Sequence, residues 1–225
     1  MNTLERRAWS GLFFLAVVMA LLLFLPAGTI RYWPAWVFLT VFFGASILTT
    51  IYLMKHNPAL LERRLSAGPT AEKEKTQKVI QLFNSIGFVA LVVVPALDFR
   101  FKWSNVPLAL IFVGDLLIAI GFYFVFLVYR ENPFTSATIE IAGDQRVIST
   151  GPYAVVRHPM YASSMFWLVG VPLALGSYWG LLALAGMMPF LLWRLFDEER
   201  FLRKHLAGYT EYCAKVRRRL IPRVF

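Results

Sequence analysis

The sequence predicts an all-α, polytopic membrane protein with about six transmembrane helices. Hydrophobic residues make up 58% of the 225 residues and charged residues only 16%, whereas an ordinary soluble domain has about a quarter charged residues. The hydrophobic residues are grouped in long runs, and basic residues lie between the runs. These observations argue against a soluble domain and indicate several membrane spans.

Six apolar runs approach or reach the roughly 17 to 25 residues that a helix needs to cross a bilayer. The predicted spans are residues 9–27, 33–54, 79–97, 106–129, 160–175 and 178–196. The third is the weakest because Gln81, Asn84 and Ser85 interrupt it. Only Gly176 and Ser177 separate the last two spans, which predicts an antiparallel helical hairpin. We interpret the first run as a span rather than a cleavable signal, because it lacks a clear small-residue cleavage site.

Basic residues set the predicted orientation of these spans. With the N-terminus in the cytoplasm, 20 of the 23 Lys and Arg residues fall on the inside, and only Arg31, Arg100 and Lys102 fall outside. Cytoplasmic loops carry such an excess of basic residues, so both termini are predicted to be cytoplasmic. The net charge of +10 is therefore attributed to contact with anionic lipid and not with nucleic acid.

Two regions are predicted along the chain. Residues 1–130 hold four spans, and residues 131–225 hold a linker, the hairpin and a C-terminal amphipathic helix. Cys213 is the single cysteine, and the three histidines are scattered in the sequence. We therefore expect neither an internal disulfide nor a metal site.

The end of the linker is the first place where chemistry is predicted. Gly151-Pro152 signals a turn, and Pro159 suits the first turn of the following helix. Free backbone N–H groups would then follow Arg157 and His158, and a helix N-terminus beside a cation can bind an anion. The alternative is that Arg157 extends to lipid phosphate and His158 caps the helix. These residues alone leave both interpretations open.

The second place is the cytoplasmic end of the last span. Arg194 and Glu198 are four residues apart and so share one helix face. The acidic residues 197–199 suit a solvated helix start, or they could bind the ammonium group of a zwitterionic ligand. In the fourth span, Asp115 is either a functional carboxylate or a neutral acid packed between helices.

Apolar residues recur at a spacing of three to four beyond this span, which predicts an amphipathic helix. That helix would lie flat on the membrane or fold back over the acidic cluster, capping a pocket on the cytoplasmic side. Residues 217–219 are interpreted as an anchor to anionic lipid. The apolar stripe consists of Phe201, Leu202, His205, Leu206, Tyr209, Tyr212, Cys213 and Val216.

Several motifs in residues 140–225 resemble one family, the isoprenylcysteine carboxyl methyltransferases, together with their phospholipid methyltransferase relatives. The resemblance is carried by an ordered set of short motifs and not by any one of them. In order they are Gly151-Pro152-Tyr153, His158-Pro159-Met160-Tyr161, Arg194, Glu198-Glu199, Leu206-Ala207-Gly208-Tyr209, Tyr212 and Ile221-Pro222.

The resemblance implies methyl transfer from S-adenosylmethionine to a lipophilic or small acceptor, such as the carboxyl group of an isoprenylcysteine. It implies a pocket at the cytoplasmic membrane surface in which Arg194 binds the substrate. Arg157 and Tyr209 join the implied cofactor-binding positions because of their charge and their aromatic ring. The complete cofactor-binding set is Gln145, Arg146, Val147, Ile148, Tyr153, Arg157, His158, Pro159, Met160, Tyr161, Glu198 and Tyr209.

The role of a catalytic base depends on the acceptor. A carboxylate is already ionised at neutral pH, and Arg194 would hold it in a bidentate manner. An amine or a thiol would need deprotonation, for which Glu199 or His205 is the candidate; Arg194 and Glu199 are thus the candidate catalytic residues. The competing functions are an NADPH-dependent membrane reductase of the sterol type and a non-catalytic membrane protein.

Overall fold

The computed structural model describes residues 3–65, 72, 74–139 and 145–221. These residues form eight α-helices and one 3-10 turn, Gly151–Ala154. The helices are α1 Thr3–Ala27, α2 Trp33–His56, α3 Pro58–Leu65, α4 Lys75–Phe101, α5 Leu108–Glu131, α6 Pro159–Ala174, α7 Trp179–His205 and α8 Tyr209–Lys215.

The prediction of an all-α, polytopic membrane protein is confirmed. Five helices of the described chain, α1, α2, α4, α5 and α7, are long and apolar enough to cross a membrane. Helix α6 has 16 residues, which rise about 24 Å, somewhat less than the roughly 30 Å hydrocarbon core of a bilayer. The count of six spans therefore stays a prediction.

The helices extend beyond the apolar runs that predicted them. Helix α4 already begins at Lys75 and helix α7 continues to His205, because hydropathy detects only the apolar part of a helix. Hydropathy predicts no helix between the spans 33–54 and 79–97, but residues 58–65 form α3. Helix α3 is held in place because Leu60 and Leu61 are buried against α1 and α2.

The helices bury one face and expose another. A continuous core contains buried residues of α1, α2, α4, α5, α6 and α7. Large apolar side chains such as Phe13, Leu48, Leu116 and Leu182 are exposed on the outer faces of the long helices. Exposed apolar surface of this kind is suited to contact with lipid.

Helices α5 and α6 approach each other through glycines. A Cβ atom at Gly114 would lie 2.2 Å from the backbone nitrogen of Ala174, and one at Gly170 would lie 2.7 Å from the carbonyl oxygen of Gly114. Only glycine permits the two backbones to come this close. This packing fixes α6 against α5.

Helices α4 and α7 run antiparallel and in contact. Gly180 lies against Pro95 at one end, and Gly87 lies against Met187 in the middle. At the other end the Gln77 side chain accepts a hydrogen bond from Arg194. The α4–α7 pair therefore places the first turns of α4 beside the last turns of α7.

The predicted hairpin of α6 and α7 is confirmed, and a buried polar network holds its turn. Gly176 adopts a φ of 71°, a left-handed conformation that favours glycine. The Ser177 hydroxyl donates to Asp98 Oδ2 at 2.5 Å, and Ser104 donates to the same carboxylate. Tyr32 donates to the carbonyl oxygen of Leu175 at 2.5 Å. These bonds tie the turn to the last turn of α4.

Candidate active site

A cavity of about 440 Å³ opens beside α4, α6 and α7, and its wall is completed by residues 132–139, 145–148 and the turn before α8. This volume is typical of small-molecule sites. Arg194 and all twelve predicted cofactor-binding residues line the cavity. The fold thus brings together residues from the linker, the start of α6, the end of α7 and α8.

Arg194 is buried in the wall of this cavity. Its guanidinium lies 2.7 Å from the Glu72 carboxylate and donates hydrogen bonds to Gln77 Oε1 at 3.0 Å and to the Ala137 carbonyl oxygen at 2.9 Å. Glu72 in turn accepts a bond from the backbone N–H of Ile139. The structure therefore places a buried cation, already bound to a carboxylate, in the wall of the cavity.

Glu198 lies one helical turn beyond Arg194 and lines the same cavity, as the spacing of four residues predicted. The Tyr161 hydroxyl donates to Glu198 Oε2 at 2.7 Å. Since Tyr161 belongs to α6 and Glu198 to α7, this bond joins the two helices of the hairpin at the cavity. The site therefore presents a carboxylate close to its cation.

Glu199 is not among the residues that line this cavity, and its role as a candidate catalytic base stays a prediction. Its carboxylate is buried and forms ion pairs with Arg157 at 3.0 Å, Arg203 at 2.8 Å and Arg219 at 2.7 Å. His158 Nε2 lies 3.9 Å away. Neighbouring residues of a helix point in different directions, and this is why Glu198 and Glu199 belong to different sites.

Arg157 and His158 bind the C-terminal segment through their backbones. The N–H of Arg157 donates to the Arg218 carbonyl oxygen at 2.9 Å, and the N–H of His158 donates to that of Arg219 at 3.0 Å. The Arg157 guanidinium also donates to the carbonyl oxygens of Val216 and Arg217. Arg157 is buried, so the interpretation that it extends to lipid phosphate is wrong.

His158 occupies the N-cap position of α6, as that alternative expects, but its side chain makes no capping hydrogen bond among the described residues. The backbone N–H groups of the first turn of α6 follow His158, and Met160 and Tyr161 line the cavity. This arrangement retains the predicted helix N-terminus beside the cavity. The charge of Arg157, in contrast, is directed at Glu199 and the C-terminal segment.

The predicted single amphipathic helix is wrong in one respect, because the stripe is divided between α7 and α8. Helix α7 ends at His205, and Gly208 with a φ of 79° turns the chain before α8. Tyr212 then donates from its hydroxyl to the Tyr153 carbonyl oxygen at 2.7 Å. Buried residues of α8 pack against Val147, so this segment folds back over the site.

Three tyrosines contribute aromatic surface to the cavity: Tyr153, Tyr161 and Tyr209. Asn132 donates a hydrogen bond to the Tyr153 hydroxyl at 2.8 Å. Burial raises the pKa of Tyr153 and of Tyr209 above the ordinary value, so both hydroxyls are neutral. The cavity thus combines neutral aromatic walls with the carboxylate of Glu198 and the guanidinium groups of Arg64, Arg146, Arg157 and Arg194, which suits a ligand bearing cationic and anionic groups.

Sequence reasoning missed several residues of the site. Glu72 and Gln77 are ion-paired or hydrogen-bonded to Arg194, and Asn132 and Asn84 line the cavity directly. One signal was present, since Asn84 interrupts the third predicted span. Asp115 is buried in α5 but is not among the residues that line the cavity, and both interpretations of it stay predictions.

Comparison with known proteins gives consistent matches. The phospholipid methyltransferase family model matches residues 109–208. Protein-S-isoprenylcysteine O-methyltransferase B of Arabidopsis thaliana is 25% identical over 151 residues, covering 63% of this chain and 72% of the relative. A probable protein-S-isoprenylcysteine O-methyltransferase of Oryza sativa subsp. indica is 28% identical over 120 residues, which is 50% of this chain and 58% of the relative.

The fold is that of a polytopic membrane protein, and the matches make the chain similar to membrane methyltransferases. Within that class, the resemblance to the isoprenylcysteine carboxyl methyltransferases and their phospholipid methyltransferase relatives is confirmed. The family-model match includes α6, α7 and the turn at Gly208, and these elements form much of the cavity.

Proposed function

We propose that this protein is a membrane methyltransferase that uses S-adenosylmethionine to methylate the carboxylate of a lipophilic or small acceptor. An isoprenylcysteine-like carboxyl group is the acceptor that the names of the relatives favour. The observation that carries the proposal is the buried Arg194 in the cavity wall, which already binds the carboxylate of Glu72.

The chemistry of the cavity fits S-adenosylmethionine. Glu198 is an anionic partner for the ammonium group, and the first turn of α6 supplies backbone N–H groups suited to the carboxylate. Tyr153, Tyr161 and Tyr209 supply rings that attract a sulfonium cation or stack on adenine. When bound, S-adenosylmethionine supplies the methyl group in an activated, cationic form.

The residues of the chain bind and orient the acceptor. Arg194 would hold the acceptor carboxylate through paired charge-assisted hydrogen bonds. The acceptor carboxylate would then take the place beside Arg194 that Glu72 now occupies. Correct alignment of the reacting groups supplies much of the rate in such transfers. The segment from Leu206 to Tyr212 folds over the cavity and would exclude water, which strengthens the charge interactions inside.

The position of the two candidate bases favours a carboxylate over an amine or a thiol. Glu199 lies outside the cavity and is paired with several cations, which stabilise its ionised form and make it a poor base. His205 is exposed at the end of α7 and is also outside the cavity. An acceptor that is already ionised needs neither residue.

The test is transfer of labelled methyl groups from S-adenosylmethionine by the purified protein in lipid nanodiscs. We expect Arg194→Ala and Glu198→Ala each to abolish transfer, since one loses acceptor binding and the other loses donor binding. Arg200→Ala is the matched control, because Arg200 lies on the same helix but is exposed. Full activity of both cavity variants would overturn the site assignment.

Binding measurements separate the donor-binding role from the acceptor-binding role. Calorimetry with S-adenosylhomocysteine should give the same Kd for Arg194→Ala as for the unsubstituted protein, and a Kd at least about tenfold weaker for Glu198→Ala. Binding of NADPH in place of S-adenosylhomocysteine would instead identify a reductase. Binding of neither would favour a non-catalytic membrane protein.

A further inference from the structure

The cavity is longer than the polar site at the end of α7 requires. Beyond Arg194 it is lined by Leu191 and Met187 of α7 and by Met165 and Leu168 of α6. Arg194 and Met187 are seven residues apart, so this arm of the cavity follows α7 for about 10 Å toward the middle of the membrane-spanning helices. Apart from Ser164 and Trp167 of α6, the residues on these two walls are apolar.

The third wall, from α4, carries a buried amide. Asn84 lines the cavity and is 8% exposed. Its Nδ2 donates a long hydrogen bond of 3.4 Å to Gln81 Oε1, whereas Oδ1 has no hydrogen-bond partner among the described residues. If the oxygen and nitrogen of both amides, Asn84 and Gln81, were exchanged, Asn84 Oδ1 would accept from Gln81 and Asn84 Nδ2 would lack a partner instead. In either orientation, half of the amide is unsatisfied.

An unsatisfied amide at this depth is unfavourable unless a ligand meets it. Buried polar groups in proteins are nearly always hydrogen-bonded, and polar residues within membrane spans are commonly functional. The opposite walls offer mainly thioether and hydrocarbon groups, which are weak partners at best. Ser164 and Trp167 of α6 also line the cavity, but the Ser164 hydroxyl donates to the Met160 carbonyl oxygen and neither residue is hydrogen-bonded to Asn84 Oδ1. A ligand group inside the arm is therefore the remaining partner.

The spacing along α4 locates that ligand group. Gln77, which accepts a hydrogen bond from Arg194, and Asn84 are seven residues apart, which is two helical turns. They lie on the same face of α4 at a separation of about 10 Å along the axis. A molecule bound through its carboxylate at Arg194 would reach Asn84 with the middle of its apolar part.

We propose that Asn84 selects the acceptor, and that the acceptor is a lipophilic carboxylic acid with a hydroxyl group within its apolar part. The inference rests on the proposed function only for the identity of the group at Arg194. A hydroxyl group both donates and accepts, so it satisfies the amide in either orientation. A charged group would be too costly in this apolar arm, and a plain hydrocarbon tail would leave the amide unsatisfied.

The test is equilibrium binding to the full chain in lipid nanodiscs without any methyl donor. Palmitate is compared with isomers of hydroxypalmitate that carry the hydroxyl at successive positions along the chain. We expect the best mid-chain isomer to bind about tenfold more tightly than palmitate, which corresponds to one buried hydrogen bond of about 1.4 kcal/mol. Asn84→Leu, which is close in size, should remove this preference and bind palmitate at least as tightly.

Ser85→Ala is the matched control, since Ser85 is the adjacent residue on α4 but is exposed; it should retain the preference. A thermal-unfolding measurement checks that Asn84→Leu is folded. Equal affinity for the acids, binding of neither, or a preference that survives in Asn84→Leu would overturn the inference. If the preference is present but labelled methyl transfer to the bound acid is absent, the proposed function fails while the selectivity of Asn84 stands.

Discussion

At the scale of single residues, Glu199 shows how one buried carboxylate can hold several parts of the chain together. Its one carboxylate is shared by Arg157, Arg203 and Arg219, residues that belong to three different parts of the chain. Arg203 lies in the last turn of α7, and Arg219 lies in the segment that follows α8. The ion cluster therefore joins the segment before α6, the end of α7 and the C-terminal segment.

Replacing Glu199 with glutamine is expected to lower the stability of the folded protein by about 3 kcal/mol, because it leaves a buried guanidinium without its counter-ion. The C-terminal segment would then detach more often. Thermal unfolding in detergent measures the first effect, and the rate of tryptic cleavage at residues 217–219 measures the second. Glu211→Gln, at an exposed position of α8, should change neither, and unchanged cleavage in Glu199→Gln would contradict the structural role.

The residues of the site differ in how far sequence could predict them. Arg194 and Glu198 could be paired because a spacing of four residues defines one helix face. The same rule, applied one residue further, would have separated Glu199 from them. Glu72 and Gln77 could not be predicted, because Gln77 is 117 positions from Arg194 in the chain and only the packing of α4 on α7 brings them together.

At the scale of elements, the hairpin depends on a close approach of backbones. Hydropathy located the long helices, since each must be apolar to cross a bilayer. It did not locate α3 or the break between α7 and α8, because short amphipathic helices are set by the neighbours that they pack on. Hydropathy also could not predict the contact of α5 with α6, which positions the first turn of α6 at the cavity.

Gly114→Ala is expected to destabilise the protein by about 1 to 3 kcal/mol, because the new methyl group would meet the backbone of α6. It should also weaken binding of S-adenosylhomocysteine, since the start of α6 lines the cavity. Thermal unfolding and calorimetry measure the two effects. The control is Gly186→Ala in α7, where nothing lies within 4 Å; equal unfolding temperatures for the two variants would contradict the close packing.

At the scale of the whole molecule, the two ends of the helical bundle have different chemistry. The end that contains the cavity holds Arg194, Glu198 and the cluster around Glu199. The opposite end holds the turn network of Asp98 and Ser177. The distribution of basic residues predicts that the cavity faces the cytoplasm.

This orientation is tested with cysteines and a membrane-impermeant maleimide on right-side-out vesicles. Asn105→Cys, in the exposed loop after α4, should be labelled in intact vesicles, whereas Lys204→Cys, exposed at the end of α7, should be labelled only after permeabilisation. The native Cys213 should react slowly in both cases, because it is buried and burial raises the pKa of its thiol. The reverse labelling pattern would contradict the predicted orientation.

The backbone bonds from Arg157 and His158 to Arg218 and Arg219 also impose an order on biosynthesis. While α6 leaves the ribosome and enters the membrane, its partners some 60 residues later have not yet been translated. The newly inserted hairpin therefore lacks its C-terminal partners. Insertion of the hairpin and completion of the cavity are separate events in time. The nascent chain can acquire its membrane topology early, but it becomes able to hold a ligand only once the last of these partners emerges.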